Sequence, residues 1–217
     1  MVRAYPVAVS AAFATCLLFP GCHPAASVSH AVPIIQPGAP GEPSRVTDAT
    51  TAVDLSKVRF TTADVEFMQG MISHHAQAIE MTELLKTRTT RPEMRTLAER
   101  IDLSQADEIR MMQQWLVSRG QFAPEQFAHH HEGMVMPGML TPGQMQQLSA
   151  ATGAEFDRLF LEGMIAHHQG ALTMVEALMK QPGAAQESEL FEFVSDVEAD
   201  QSAEIARMRA MLREFTG

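Results

Sequence analysis

The sequence predicts an all-α fold, a four-helix bundle made of two repeated helix hairpins that are joined by a long crossover connection. The strongest observation is an internal repeat. Residues 67–81 (FMQGMISHHAQAIEM) recur as residues 160–174 (FLEGMIAHHQGALTM), with eight of fifteen positions identical and a constant spacing of 93 residues. A repeat of this length indicates that one structural unit occurs twice. No sustained alternation of apolar and polar residues indicates a strand.

The second helix of each unit also recurs. Residues 101–116 correspond to residues 197–212 at a spacing of 96 residues, so the second hairpin has three more residues in its turn. The matching positions are Gln105/Gln201, Glu108/Glu204, Ile109/Ile205, Met112/Met208 and Leu116/Leu212.

Start and stop signals give the helix bounds. Thr61 with Asp64, and Thr152 with Glu155, have the spacing of capping boxes, and Pro92 suits a first helical turn. Gly120 and Pro182-Gly183 are stop signals. Thr141, Pro142 and Gln144 indicate a short helix inside the connection. The predicted helices span residues 61–86, 91–119, 142–150, 153–180 and 187–215.

The N-terminal part of the chain predicts export. Residues 1–22 have the apolar character of a signal peptide and end in LLFPGC, which resembles a lipoprotein cleavage box with Cys22 as the lipidated residue. The alternative is an ordinary cleaved signal peptide. Residues 23–57 are rich in Pro, Ala and Ser, so we expect a disordered tether. Residues 58–217 then form the bundle, with repeats at 61–119 and 153–215 and a connector at 120–152. We expect an extracytoplasmic protein, either membrane-tethered or periplasmic.

Composition excludes several classes of function. The formal net charge of −10 argues against nucleic acid as a partner, because phosphate binding needs a basic surface. Both cysteines, Cys16 and Cys22, lie in the leader, so the bundle has no thiolate site or disulfide. The 16 methionines and 9 histidines are an unusual excess.

Methionine and histidine recur on one face of the first helix of each repeat. At 100° per residue, Met68, Met71, His74, His75 and Ala78 share a broad stripe with Asp64, and Met81 lies near its edge. The second repeat has the same pattern. The candidate metal ligands are Met71, His74, His75, Met81, Met164, His167, His168 and Met174. Supplementary ligands or hydrogen-bond partners of the imidazoles are Asp64, Asp157, Met68, Met112 and Met208.

The chemistry of this donor set favours a soft metal ion. Thioether sulfur is a neutral, polarizable ligand, and imidazole suits copper, so we expect Cu(I), with Ag(I) as a similar ion. The alternative is that methionine fills the core and the histidines are structural. Four buried imidazoles are costly unless each nitrogen has a partner, which makes that alternative weaker.

The connector contains a second concentration of donors. The stretch HHHEGMVMPGM is a glycine- and proline-containing loop, and flexible tracts of this composition are typical of metal-collecting segments. Its candidate ligands are His129, His130, His131, Met134, Met136 and Met139.

The sequence resembles a bacterial family known as domain of unknown function 305. The motifs MISHHAQAIEM, HEGMVMPGMLTPGQMQQL and FDRLFLEGMIAHHQGALTM carry the resemblance, which covers residues 58–217. It implies a ferritin-like fold, an extracytoplasmic location and, for some members, copper or silver binding. It implies the same eight ligands, Met71, His74, His75, Met81, Met164, His167, His168 and Met174.

We therefore predict a cell-envelope protein that binds Cu(I) or Ag(I) for sequestration, tolerance or transfer. Its partners would be the metal ion, copper-handling proteins and, through a lipid anchor alone, the membrane. The alternative is an envelope interaction or stress protein with structural histidines. A di-iron oxidase is disfavoured, because no Glu precedes any of these histidines by three residues. No hydrolase or phosphate-loop motif is present, and we expect no enzymatic activity.

Overall fold

The computed structural model describes residues 33–36, 43–49, 59–125 and 136–216. These residues belong to two units, which divide between residues 55 and 56. The predicted signal peptide with Cys22 lies outside the described residues, and so do most of the tether and the connector ligands His129, His130, His131 and Met134.

The first unit contains a small antiparallel sheet that the sequence did not predict. Strand β1 (Ile34–Gln36) pairs with strand β2 (Arg45–Thr47), with Ile35 opposite Val46. We expected residues 23–57 to lack secondary structure, and for these two segments that expectation was wrong. The reason is local, because β-branched residues flank a segment rich in Pro and Gly, which favours a hairpin. Ile35 and Val46 are 65% and 73% exposed, so this sheet buries no core of its own.

The second unit is the predicted all-α bundle. Helices α1 (Thr62–Arg88) and α2 (Pro92–Ser118) form one hairpin, and α4 (Gly153–Met179) and α5 (Ser188–Thr216) form the other. The short helix α3 (Pro142–Ala150) lies in the connector and packs on α4. The two hairpins meet where α1 packs against α4. Every predicted helix bound is confirmed to within two residues. None of these five described helices is long and apolar enough to cross a membrane.

Two of the three helix starts that were predicted from a capping threonine have the expected cap. Thr61 and Asp64 form a capping box at α1, and Thr141 and Gln144 form one at α3. Thr152 makes no side-chain hydrogen bond at the start of α4, so that prediction was wrong. The next residue, Gly153, has a φ of +59°, which turns the following N–H groups away from the geometry that a capping box needs.

The bundle core consists of two apolar clusters near its opposite ends. The first cluster contains the first half of α1, the second halves of α2 and α4 and the start of α5, including Ile72, Trp115 and Phe193. The second cluster contains the other halves of these helices, including Leu85 and Phe160. Because the end of α1 and the start of α4 share one cluster, these two helices are antiparallel.

Between the two clusters, every long helix carries polar side chains where core residues would be expected. We call this set the polar layer. Its members are His74, His75 and Gln77 on α1, Gln105 and Glu108 on α2, His167 and His168 on α4, and Gln201 and Glu204 on α5. All are buried except Glu108, whose side chain is 13% exposed. A buried polar layer lowers stability unless its groups are paired, which makes it the natural place to look for function.

Candidate metal centre

Four histidines form the middle of the polar layer. His74 and His75 come from α1, His167 and His168 come from α4, and all four are fully buried. The rings of His74 and His167 lie against each other, with their centroids 3.8 Å apart and their planes at 38°. His75 and His168 flank this central pair, with centroid distances of 6.4 and 6.1 Å to His74 and His167 respectively. The internal repeat therefore brings the two His-His motifs together.

The Nε2 atoms of the central pair bond to backbone carbonyls. His74 Nε2 donates to the carbonyl oxygen of Pro137 in the connector (3.0 Å), and His167 Nε2 donates to the carbonyl oxygen of His74 (2.9 Å). A carbonyl oxygen can only accept a hydrogen bond, so Nε2 carries the proton in both rings.

The outer pair bonds to carboxylates on the partner helices. His75 Nε2 lies 2.5 Å from Glu108 Oε2 on α2, and His168 Nε2 lies 2.7 Å from Glu204 Oε2 on α5. The two glutamates correspond in the internal repeat, and their side chains are 13% and 11% exposed. A histidine whose ring N–H donates to a carboxylate has its orientation and tautomer fixed, as is common for metal-binding histidines.

The second ring nitrogen of each histidine has no partner. The Nδ1 atoms of His74, His75, His167 and His168 are buried and make no hydrogen bond within the described residues. In a neutral ring with its proton on Nε2, Nδ1 presents a lone pair. Leaving such an acceptor buried and unpaired costs about 1–3 kcal/mol for each group. Four unpaired acceptor nitrogens in one layer could therefore bind an ion.

Burial keeps the central pair neutral. Desolvation, reinforced by the nearby His75, lowers the pKa of His74 to about 3. Desolvation and the adjacent His74 ring hold the pKa of His167 well below its usual range. Although burial alone would raise it, the hydrogen bond from His75 lowers the pKa of Glu108. At neutral pH the lone pairs of the central pair are thus not masked by protons, as metal binding requires.

Two of the predicted methionine ligands lie where α1 and α4 cross. The Met174 methyl group is 3.5 Å from the position that a Cβ on Gly70 would take, and the Met81 methyl group is 3.4 Å from the same position on Gly163. Each of these thioethers therefore packs directly over a glycine of the other helix. In the connector, Met136 Sδ is also 3.5 Å from the Gly70 position, whereas Met139 lines a surface cavity of about 310 Å³ beside α4.

The remaining candidate methionines are embedded in the apolar clusters. Each is fully or almost fully buried among aliphatic and aromatic side chains, where methionine also serves as core filler. Met68, Met71 and Met112 belong to the first cluster, and Met164 and Met208 belong to the second.

Asp64 and Asp157 are not the partners of the histidines. Asp64 accepts from the Ala185 N–H (2.8 Å) in the turn between α4 and α5, besides capping α1. Asp157 pairs with Arg91 (3.3 Å) in the turn between α1 and α2. Each aspartate therefore ties its own helix to the turn of the other hairpin, because a side chain near a helix terminus cannot reach the middle of that helix. The prediction that they pair with the histidines was wrong.

Sequence reasoning gave no role to the four residues that α2 and α5 contribute to the polar layer. Glu108 and Glu204 bond to the outer histidines, and Gln105 and Gln201 are buried with amide atoms that have no partner among the described residues. All four are matched in the repeat of α2 and α5. The available signal was a pair of repeated polar positions on an otherwise apolar helix face.

The connector crosses the centre and breaks its two-fold symmetry. Gln77 makes two hydrogen bonds to the backbone of Leu140. Its Oε1 accepts from the Leu140 N–H (2.7 Å), and its Nε2 donates to the Leu140 carbonyl (2.9 Å). The repeat equivalent of Gln77 is Gly170, against which the backbone of Pro137 and Gly138 packs. A side chain at position 170 would occupy the path of the connector, so the repeat differs where the connector passes.

Within residues 59–125 and 136–216, no three His, Cys, Asp or Glu side chains are grouped so as to hold an ion. Hard cations need several oxygen ligands, and the two glutamates of the polar layer already accept hydrogen bonds from His75 and His168. Thioether sulfur is the other donor that the described residues place beside these imidazoles, and such a mixed set suits soft ions. The donor set fits Cu(I) or Ag(I).

Comparison with known proteins gives a family and a set of related folds. The family model for "Domain of unknown function (DUF305)" matches residues 64–212. A DUF305 protein from Streptomyces coelicolor, whose description assigns it to the secreted proteins, is 29% identical with a TM-score of 0.63, covering 71% of this chain and 94% of that chain. A DUF305 fragment from Deinococcus radiodurans is 30% identical with a TM-score of 0.62, covering 71% of this chain and 98% of that chain.

The chain is also similar to a protein that has been crystallised with soft metals. CopM in its Cu(I)-bound form is 28% identical with a TM-score of 0.57, covering 71% of this chain and 98% of that chain. CopM structures with Cu(II) and with Ag match as well. No curated protein matches the chain.

Proposed function

Because this chain belongs to the domain of unknown function 305 family, whose model matches residues 64–212, we propose that it binds Cu(I) or Ag(I) at the cell envelope. Each ion would be held by one or two of the histidine Nδ1 atoms together with thioethers that lie between α1 and α4. The protein would act in sequestration, tolerance or transfer, as a binding protein and not as an enzyme. The likeness to metal-bound CopM supports this proposal.

The single observation that carries the proposal is the set of unpaired Nδ1 atoms. All four rings direct Nε2 at an acceptor, and each Nδ1 is buried with no donor to it among the described residues. Purely structural histidines would be expected to satisfy both nitrogens, because buried polar groups are paired in native proteins. A metal ion would satisfy the lone pairs and repay the cost of burying them.

The compartment fits the choice of donors. Thiolates are exposed to oxidation and disulfide exchange outside the cytoplasm, whereas thioether and imidazole form no disulfides. We propose that residues 1–22 direct export and that lipidated Cys22 tethers the bundle to a membrane surface. Replacement of Cys22 by Ser would then release the protein from the membrane fraction.

Competition titration tests the proposal directly. The full-length protein is titrated anaerobically with Cu(I), and separately with Ag(I), Zn(II) and Fe(II), against a chelating dye at pH 7. We expect Cu(I) and Ag(I) to bind more tightly than the other two ions. We also expect metal binding to change the ¹⁵N chemical shifts of the Nδ1 atoms much more than those of the Nε2 atoms, because the ion would bind the lone pair of Nδ1. A protein that binds neither soft ion would instead be an envelope interaction protein with structural histidines.

The two glutamates should strengthen metal binding without touching the ion. Replacing both Glu108 and Glu204 with Ala leaves the Nε2–H groups of the outer histidines without an acceptor, so these rings can rotate or change tautomer. We expect the Ag(I) affinity to fall by about 10–100-fold, the usual effect of losing such a partner. Isothermal titration calorimetry measures the change.

Matched glutamine variants separate positioning from charge. The Glu108→Gln and Glu204→Gln substitutions keep an oxygen that accepts the Nε2–H, and should recover most of the affinity. Replacement of the exposed pair Glu93 and Glu189 by Ala removes the same charge elsewhere and should have no effect. Equal losses in the Ala and Gln variants would contradict the positioning role.

A further inference from the structure

The contact between α1 and α4 has two equivalent ends, one at Gly70 and one at Gly163, and the connector places a different side chain at each. On α1, Met136 lies over Gly70, and on α4, Leu140 lies over Gly163, at 3.5 and 3.2 Å from the respective Cβ positions. Gly70 and Gly163 correspond in the internal repeat. The two ends are therefore alike in the helices and unlike in what the connector adds.

The two ends of the contact between α1 and α4 also differ in the side chains that could donate sulfur to a metal ion. At the Gly70 end, Met136 Sδ and the Met174 methyl group approach the same point on α1, each at 3.5 Å. At the Gly163 end, the Met81 methyl group meets an aliphatic side chain instead. The atoms nearest the Gly70 position thus belong to two thioethers, whereas those nearest the Gly163 position belong to one thioether and to Leu140. A soft monovalent ion gains from each added thioether, because sulfur is its preferred donor.

A hydrogen bond also links the Gly70 end to the histidine cluster. His74 follows Gly70 by about one helical turn on the same face of α1, and its Nε2 donates to Pro137, the residue next to Met136 (3.0 Å). That bond leaves the Nδ1 of His74 buried and without a partner among the described residues. The side chains of Met136, Met174 and His74 therefore lie along one turn of α1.

We propose that the two ends of the centre are not equivalent, and that the Gly70 end, with Met136 and Met174, is the high-affinity site for a soft monovalent ion. The inference rests on the proposed function and adds to it which end is filled first. Met136 is the residue that creates the difference. Because Met136 belongs to the connector, it has no counterpart in the helix repeat.

The connector offers a reciprocal pair of substitutions as a test. Met136→Leu removes the second thioether at the Gly70 end, and Leu140→Met adds one at the Gly163 end. The full-length protein, labelled with ¹³C at the methionine methyl groups, is titrated with Ag(I) and followed by NMR and calorimetry. Met179→Leu, on the exposed surface of α4, is the matched control.

In the wild type, the methyl signals of Met136 and Met174 should move with the first equivalent of Ag(I), and that of Met81 should move later. Met136→Leu should weaken the first binding step by at least about tenfold, the lower end of the loss seen even for outer partners of a metal site. The signals of Met174 and Met81 should then move together. Leu140→Met should make the Met81 signal move with the first equivalent.

The outcomes separate the two proposals. If the wild type binds no Ag(I), the proposed function fails and this inference fails with it. If the wild type binds Ag(I) but both connector variants titrate like Met179→Leu, only the inequivalence of the ends is wrong. Thermal unfolding of each variant shows whether a lost binding step reflects a lost fold, and Leu140→Met tests the idea by a gain that misfolding cannot imitate.

Discussion

Replacing His74 and His167 together with Gln should abolish high-affinity binding of Ag(I) and Cu(I) while leaving the bundle folded. Glutamine can keep an N–H donor for the carbonyls of Pro137 and His74, which now accept from the two Nε2 atoms. It has no counterpart of the Nδ1 lone pair. Each lost ligand should cost at least as much as an outer partner, so we expect the affinity to fall by about a hundredfold or more in the double variant.

Chelator competition measures this affinity, and urea unfolding reports whether the fold is kept. A triple variant with Ala at His129, His130 and His131 is the control, because it removes more imidazoles from the chain but none from the polar layer. Retained affinity in the Gln double variant would exclude the buried histidines as ligands. Loss in the triple variant alone would assign the binding to the connector tract.

The helices were predictable because their signals are local or repeated. Pro92 begins α2, and Thr141 with Gln144 caps α3, as short-range hydrogen-bonding rules require. The shared stripe of Met68, Met71 and the His-His motif indicated which face of α1 is buried, since 3.6-residue periodicity survives any arrangement of the helices. The fold class and the burial of the four histidines follow from these features.

The partners of the histidines were not predictable by the same rules. Asp64 and Asp157 lie on the right helix face but ten residues from the histidines, and each reaches the turn of the opposite hairpin. Glu108 and Glu204 lie on other helices, so their pairing depends on how the hairpins pack. Sequence spacing constrains contacts within one helix, whereas contacts between helices depend on tertiary geometry.

The difference between Gln77 and Gly170 illustrates the same limit. The two residues correspond in the repeat, and their divergence looks neutral in the sequence. In the fold, Gln77 holds the backbone of Leu140 and Gly170 leaves space for that of Pro137. A segment distant in sequence thus explains why a duplicated helix is not an exact copy, and why the centre it crosses has two unlike ends.

Substituting Gly170 with Ala should therefore be among the most damaging single changes in the bundle. A Cβ there would lie 1.9 Å from the Pro137 carbonyl oxygen and 2.7 Å from Gly138 Cα, and both are backbone atoms that no rotamer change can move. Gly138 itself has a φ of +76°, which favours glycine, so the connector cannot easily take another path. We expect the free energy of unfolding to fall by about 3 kcal/mol, the upper part of the usual range for overpacking.

Urea unfolding measures the loss, and Gly143→Ala on α3 is its control, because a Cβ at that position meets nothing within 4 Å. That control should be neutral or slightly stabilising, since Ala is a better helix former than Gly. Displacing Pro137 would also remove the acceptor of His74 Nε2 and move Met136 away from Gly70. Gly170→Ala should accordingly weaken Ag(I) binding even where the helices remain folded. Wild-type stability in this variant would mean that the connector does not pack against α4, and the assignment of Met136 to the centre would be lost with it.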